Sequence, residues 1–140
     1  MNILFICRHN IFRSRVAEEY LKKLNRNPRI KISSAGIMPN LKGECSSAEK
    51  KAVKEQGLKL NSSPRGINVS LLRNQDIIFV AAGDIPKGLL DNKSYIKKVI
   101  YWNIPDVLEN NITKARKVVR LIIKNVDALN NKLEVKAPCP

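Results

Sequence analysis

The chain has 140 residues, and its 26 Lys and Arg against 12 Asp and Glu give a net charge of +14. That length suits one α/β domain, residues 1–140, with a core that needs no staples, and Cys7, Cys45 and Cys139 with a single histidine make neither a disulfide framework nor a zinc site. The longest apolar stretch, Ile77 to Ala82, is far too short to cross a bilayer and the N-terminus lacks a signal-peptide pattern, so a soluble, cytoplasmic protein with no membrane partner is expected.

The first element is a strand from Asn2 to Cys7, an apolar run from Ile3 on that ends in a cysteine. Helix 1 follows from about Ser14 to Leu24, with Val16, Ala17, Tyr20, Leu21 and Leu24 at helical spacing. Ile30 to Ser34 alternate as a short strand. A loop from Ala35-Gly36 leads to a helix from about Ser47 to Gln56 that Gly57 terminates. Asn61 to Gly66 reads as loop, Ser70 to Arg73 as a brief helical turn, and Asp76 to Ala81 as a fully buried strand, after which Gly83-Asp84 lead into a short helix.

Lys97 to Trp102 supply a fourth strand. Ile112, Ala115, Val118, Val119, Ile122, Val126 and Leu129 form the apolar stripe of a long last helix that Asn110 or Asn111 can cap, and the tail from Asn130 is expected to be loosely held. Strands alternating with helices imply right-handed crossovers and a parallel sheet covered on both faces. Such sheets bind ligands beyond the carboxyl ends of their strands, where Cys7 lies.

A strand that turns directly into a helix leaves unpaired N–H groups in the turn, within the positive field of the helix dipole. An anion fits there, and the same field favours the thiolate form of Cys7, the nucleophilic one. Arg13, after five intervening residues, can grip two oxygens of a phosphoryl group with its planar fork. Ser14 can donate to the sulfur or to the phosphate, and Asn10 can brace the bend because Asn tolerates left-handed backbone. The competing reading makes Cys7 a small buried residue and Arg13 a solvated one.

Thiolate attack on phosphorus needs an acid for the leaving group and then a base for the water that clears the phosphocysteine. Asp106 follows strand 4 on the ligand-binding edge and is the leading candidate. Asp84 and Asp127 fit less well, and His9 is an imaginable acid. The lysines and arginines are spread along the chain without interleaved aromatic residues, which argues against a nucleic-acid partner. Arg8 and Arg15 flank the proposed pocket and are expected to favour acidic phosphorylated substrates.

The run Ile3 to Ser14 followed by Ala17-Glu18 resembles the opening signature of the low-molecular-weight protein tyrosine phosphatases and their arsenate reductase relatives. The similarity continues through Ser34-Ala35-Gly36, the Gly57 region, Asp76 to Val80 and Ile104-Pro105-Asp106. It implies a three-layer α/β/α fold on a four-stranded parallel sheet, with no metal or organic cofactor. It also implies a nucleophile at Cys7, a phosphate clamp at Arg13, a thiolate partner at Ser14, a loop brace at Asn10, and a general acid at Asp106. Residues Arg8, His9, Asn10, Ile11, Phe12, Arg13 and Ser14 form the implied phosphate-binding loop. The expected partners are a phosphorylated protein or a small aryl phosphate, with inorganic phosphate as product.

Several positions depart from the family pattern. His9 stands where Gly is usual, Phe12 where a second loop cysteine can form a protective disulfide, and Val107 and Leu108 where phosphatases tend to have Pro and aromatic residues. Phe12 and Met38 can supply an apolar wall instead. Ile11 stands where the phosphoarginine-selective branch has Thr, which disfavours that substrate. Ala81 to Pro86 lacks the redox cysteine pair often found in the arsenate reductases, and Cys45 and Cys139 receive no role. The leading expectation is a phosphomonoester hydrolase acting on phosphotyrosine. Arsenate reduction with an external thiol is the runner-up, and a non-catalytic anion- or nucleic-acid-binding domain comes third.

Overall fold

Strand β1, Asn2–Cys7, is apolar on both alternating faces because both are covered in the structure, a computed structural model that describes residues 1–136. Ile3 and Phe5 point into one core cluster, and Leu4 and Ile6 point into the other. The sheet order is β2-β1-β3-β4, with β2 at Lys31–Gly36, β3 at Ile77–Val80 and β4 at Val99–Tyr101. Every pairing is parallel, and Cys7 is in register with Gly36.

Three helices cover the Phe5 face: α1 (Arg13–Leu24), α2 (Ser47–Glu55) and α4 (Ile112–Lys136). Phe5, Phe79 and Trp102 pack together beneath them with ring centroids 4.9–5.6 Å apart. The Leu4 face is covered by the short helix α3 (Val69–Arg73), through Leu72, and by a 3-10 turn at Lys87–Leu90, through Leu90. The result is the three-layer α/β/α architecture expected from the alternation of strands and helices.

The helix ends follow local chemistry. Ser46 caps α2 and Glu49 completes the reciprocal capping box, while Gly57 takes a φ of +68° to end that helix. Asn111 caps α4 by accepting from the Lys114 N–H. Asn110 instead accepts from the Ala48 N–H and so satisfies a first-turn donor of α2. One expectation is corrected: the chain from Asn130 to Lys136 is not a loose tail but the end of α4. Leu133 continues the apolar stripe one turn beyond Leu129, and both pack on the core. Residues 137–140, including Cys139, lie outside the described part.

Candidate active site

Between β1 and α1 the backbone from Arg8 to Phe12 curls into a concave loop, shaped by which carbonyls are held outside it. The Cys7 carbonyl accepts from the Ile37 N–H at 3.1 Å, that of Arg8 from Met38 at 2.8 Å, and that of His9 from Asn40 at 3.3 Å. The Ile11 carbonyl accepts from Arg15 Nη1 at 3.0 Å and from the Cys45 thiol at 3.3 Å. A trans peptide points its N–H opposite to its C=O. Holding these carbonyls outward therefore turns the N–H groups of Arg8, His9, Asn10 and Phe12 inward, and among the described residues no N–H from Arg8 to Phe12 donates to a protein acceptor. Helix α1 adds its own field, since it has no side-chain cap and no acid in its first turn. The cradle is built for an anion.

Asn10 makes the bend possible. Its φ is +57°, and its buried side chain donates to Ser14 Oγ at 2.7 Å and Ser34 Oγ at 2.9 Å while accepting from the Arg65 N–H at 2.9 Å. Ser34 in turn donates its proton to the buried carboxylate of Glu18. Ser14 Oγ accepts from Asn10, which leaves its own proton for Cys7 Sγ, 3.0 Å away. Gly36 lies directly beneath, where a Cβ would come within 2.9 Å of backbone atoms of Arg8, His9 and Asn10.

Arg13 is almost fully buried and its guanidinium faces the loop between two carboxylates. Nη1 and Nη2 donate to Asp84 at 2.9 and 3.3 Å, Nη1 also donates to the Ile104 carbonyl at 3.0 Å, and Asp106 Oδ1 lies 3.9 Å from Nη2. Burial alone would raise the Asp84 carboxyl, but the hydrogen bond and charge of Arg13, assisted by Arg8, outweigh it and hold the group below its ordinary range. Asp106 accepts from the Val107 N–H at 2.8 Å. The loop carrying it is turned by Asn103 at φ +45° and tied back by the Gly83 N–H to the Ile104 carbonyl.

Cys7, Arg13 and Asp106 share one cleft of about 170 Å³, with His9, Ile11, Phe12, Glu44, Glu49 and Val107 on its walls. Phe12 and Val107 give it an apolar side, whereas Met38 is exposed and does not line it. His9 is held by a hydrogen bond between Nδ1 and the Met38 carbonyl at 2.9 Å.

One expectation changes. Arg15 does not face substrate: it is buried, and its guanidinium donates to the carbonyls of Ile11, Leu60 and Ser62. Asp84, ranked behind Asp106 in the sequence, is the carboxylate that grips Arg13, and Asp127 is remote from the cleft, accepting from the Tyr20 hydroxyl at 2.7 Å. The sequence assigns no site role to Glu18 or Glu49: Glu49 is marked only as the last residue of a Ser-x-x-Glu capping box, and Glu18 only by its place in the Ala17-Glu18 pair after the loop.

Among the described residues no three His, Cys, Asp or Glu side chains are arranged to hold a metal ion, and no helix is long and apolar enough to cross a membrane.

The model of one protein family, low molecular weight phosphotyrosine protein phosphatase, matches residues 2–138. Among solved structures, a protein tyrosine phosphatase from Entamoeba histolytica with Hepes in its active site is 27% identical over 96% of this chain and 97% of its own, with a TM-score of 0.83. The tyrosine phosphatase Wzb from Escherichia coli K30, in complex with sulphate, is 24% identical over 94% and 97%, with a TM-score of 0.77. The YwlE arginine phosphatase from Geobacillus stearothermophilus is 20% identical over 96% and 94%, with a TM-score of 0.84. The last two similarities speak to the fold. No curated protein matches.

Proposed function

The chain belongs to the low molecular weight phosphotyrosine protein phosphatases, and from that membership we propose how its own residues divide the work. As a member it is a phosphoric monoester hydrolase of the protein-tyrosine-phosphatase type, acting through a cysteine on phosphorylated substrates and releasing inorganic phosphate.

In the reading proposed here, Cys7 is the nucleophile, Arg13 the phosphate clamp and Asp106 the general acid and base. The phosphoryl group enters the loop from Arg8 to Ser14, where inward N–H groups and the Arg13 fork receive its oxygens. The sulfur attacks phosphorus, the ester P–O bond breaks, and the carboxyl of Asp106 gives its proton to the departing oxygen. The resulting carboxylate then takes a proton from water as that water attacks the phosphocysteine, the S–P bond breaks, and phosphate leaves. Ser14 supports the sulfur as thiolate in both steps. The observation that carries this reading is the short separation of Cys7 Sγ and Ser14 Oγ in a cleft that also holds Arg13 and Asp106.

Phosphotyrosine in proteins is the proposed substrate, because Phe12, Ile11 and Val107 give one wall of the cleft apolar surface for an aryl ring. A thiolate nucleophile suits a reducing compartment, so cytoplasmic action of a single 140-residue domain belongs to the same reading. Family membership does not favour arsenate reduction or a binding-only role.

The test is hydrolysis of para-nitrophenyl phosphate by the wild type and Cys7→Ser. Turnover lost in the variant with phosphate binding retained is the expected result, and undiminished turnover would reject the mechanism.

A further inference from the structure

Resting on the reading of the loop from Cys7 to Ser14 as the phosphoryl site, we propose that Glu49 is a specificity-determining residue. It selects phosphate monoesters with a positive charge beside the ester, such as phosphotyrosine flanked by Lys or Arg.

In a chain of net charge +14, the cleft that holds the loop also carries three acidic side chains, Glu44, Glu49 and Asp106. Glu44 is exposed and already shares its charge with Lys50 at 3.2 Å. Glu49 differs, being about nine-tenths buried in the third position of α2. Its Oε1 accepts from the Ser46 N–H at 2.9 Å, while Oε2 makes no hydrogen bond among the described residues. Burial foremost, and the charge of Asp106 to a lesser degree, raise its carboxyl above the ordinary range, against the pull of the Ser46 hydrogen bonds and of Arg13. Glu49 thus acts within the field of both the clamp and the general acid.

A carboxylate there has a cost for the established chemistry, since a phosphoryl dianion entering the loop meets its repulsion. A substrate that brings a cation between its phosphoryl group and Glu49 relieves that repulsion. Capping does not demand the charge, because Gln at the same position completes the box equally well. The three carboxylates are also not arranged as a metal site, so an organic cation, a lysine ammonium or arginine guanidinium, is the matching chemistry. Arg15 cannot reach a substrate, because its guanidinium is held on backbone carbonyls away from the cleft. The buried Arg13 and the exposed Arg8 at the loop press the other way.

The experiment measures kcat/KM of the wild type and Glu49→Gln on two phosphotyrosine peptides identical except for Lys or Glu on both sides. It is run in about 0.15 M salt, where charges more than about 8 Å away are largely screened. The wild type is expected to prefer the Lys peptide by about tenfold, from one charge pair at partly shielded distance. Glu49→Gln should shrink that preference to about twofold and bind inorganic phosphate more tightly. Its unfolding midpoint should hold, because the cap survives. A preference unchanged by the substitution, or a wild-type preference for the Glu peptide, overturns the proposal while leaving phosphatase turnover intact. Absence of Cys7-dependent turnover on para-nitrophenyl phosphate overturns the reading of the site, and this proposal with it.

Discussion

The guanidinium of Arg13 is held by the carboxylate of Asp84 through two hydrogen bonds of 2.9 and 3.3 Å, across 71 residues of sequence. The proposed phosphate clamp is thus aimed from the end of β3, while the proposed acid Asp106 approaches it from the end of β4.

Asp84→Asn keeps the shape of that contact and removes its charge. Because Arg13 is buried and Asp84 about a third exposed, the expected loss is about 1–2 kcal/mol of stability, and about 10- to 100-fold in kcat/KM as the fork loses its fixed pose. The depressed Asp84 carboxyl contributes stability that is present above its unfolded value near 3.9 and is lost as pH falls through its lower folded value. The stability gap between wild type and variant should therefore close in strong acid. An unchanged KM would mean that the Ile104 carbonyl alone orients Arg13.

Asp106→Asn should slow substrates in proportion to how much their leaving group needs a proton. For an activated aryl phosphate the fall in kcat/KM should be small, and for an alkyl phosphate about 100- to 1,000-fold. A series of phenyl phosphates of graded acidity checks this through a steeper leaving-group dependence in the variant. An equal effect across the series would place the acid elsewhere.

Asn10→Ala removes two donated hydrogen bonds and one accepted one, and leaves Ala at a φ of +57°. The expected cost is about 3–4 kcal/mol, read from the urea midpoint at constant slope. Asn10→Gly relieves the backbone and should recover only about 1 kcal/mol of this. If glycine restored most of the stability, the side-chain network would be incidental.

Stability should decline in alkali through two groups. Burial foremost, then Glu49, push the Cys45 thiol from 9.0 up to about 11, and burial with the Asp127 hydrogen bond and charge pushes Tyr20 from 10.0 up to about 12. In both cases the folded protein retains a proton that the unfolded chain loses, so the contribution is full below pH 9. It is lost across pH 9–11 for Cys45 and 10–12 for Tyr20. Cys45→Ala should flatten the fall between pH 9 and 11, as denaturant titrations at graded pH would reveal. An identical slope in wild type and variant would remove Cys45 from the account.

The shape of the proposed phosphate loop was legible because it is set locally: Cys7, Asn10, Arg13 and Ser14 lie within eight residues, and strand–turn–helix order sets their directions. The sheet and its two covered faces were legible for the same reason, in the continuous apolar runs of β1 and β3. Arg15 was misread because its partners are backbone carbonyls of Leu60 and Ser62, and a carbonyl leaves no mark in a sequence. Asp84 was ranked low because its partner lies on another element and nothing near it announces a pair. Glu49 showed only its capping role. Which cleft it faces depends on how α2 packs across α4, a long-range fact that its neighbours in sequence do not carry.

Gly36 closes β2 opposite Cys7, and one added methyl group there would come within 2.9 Å of the backbone of three consecutive residues of the loop. The sheet therefore serves as the mould in which the anion cradle is cast, and the mould leaves no room for a side chain at that point. A survey of substitutions scored by catalysis alone would rank this position beside the proposed nucleophile, although it carries no functional group. Scored by the yield of folded protein, the same position would pass with little notice, because the strain can be released by letting the cradle go flat while the two cores stay packed.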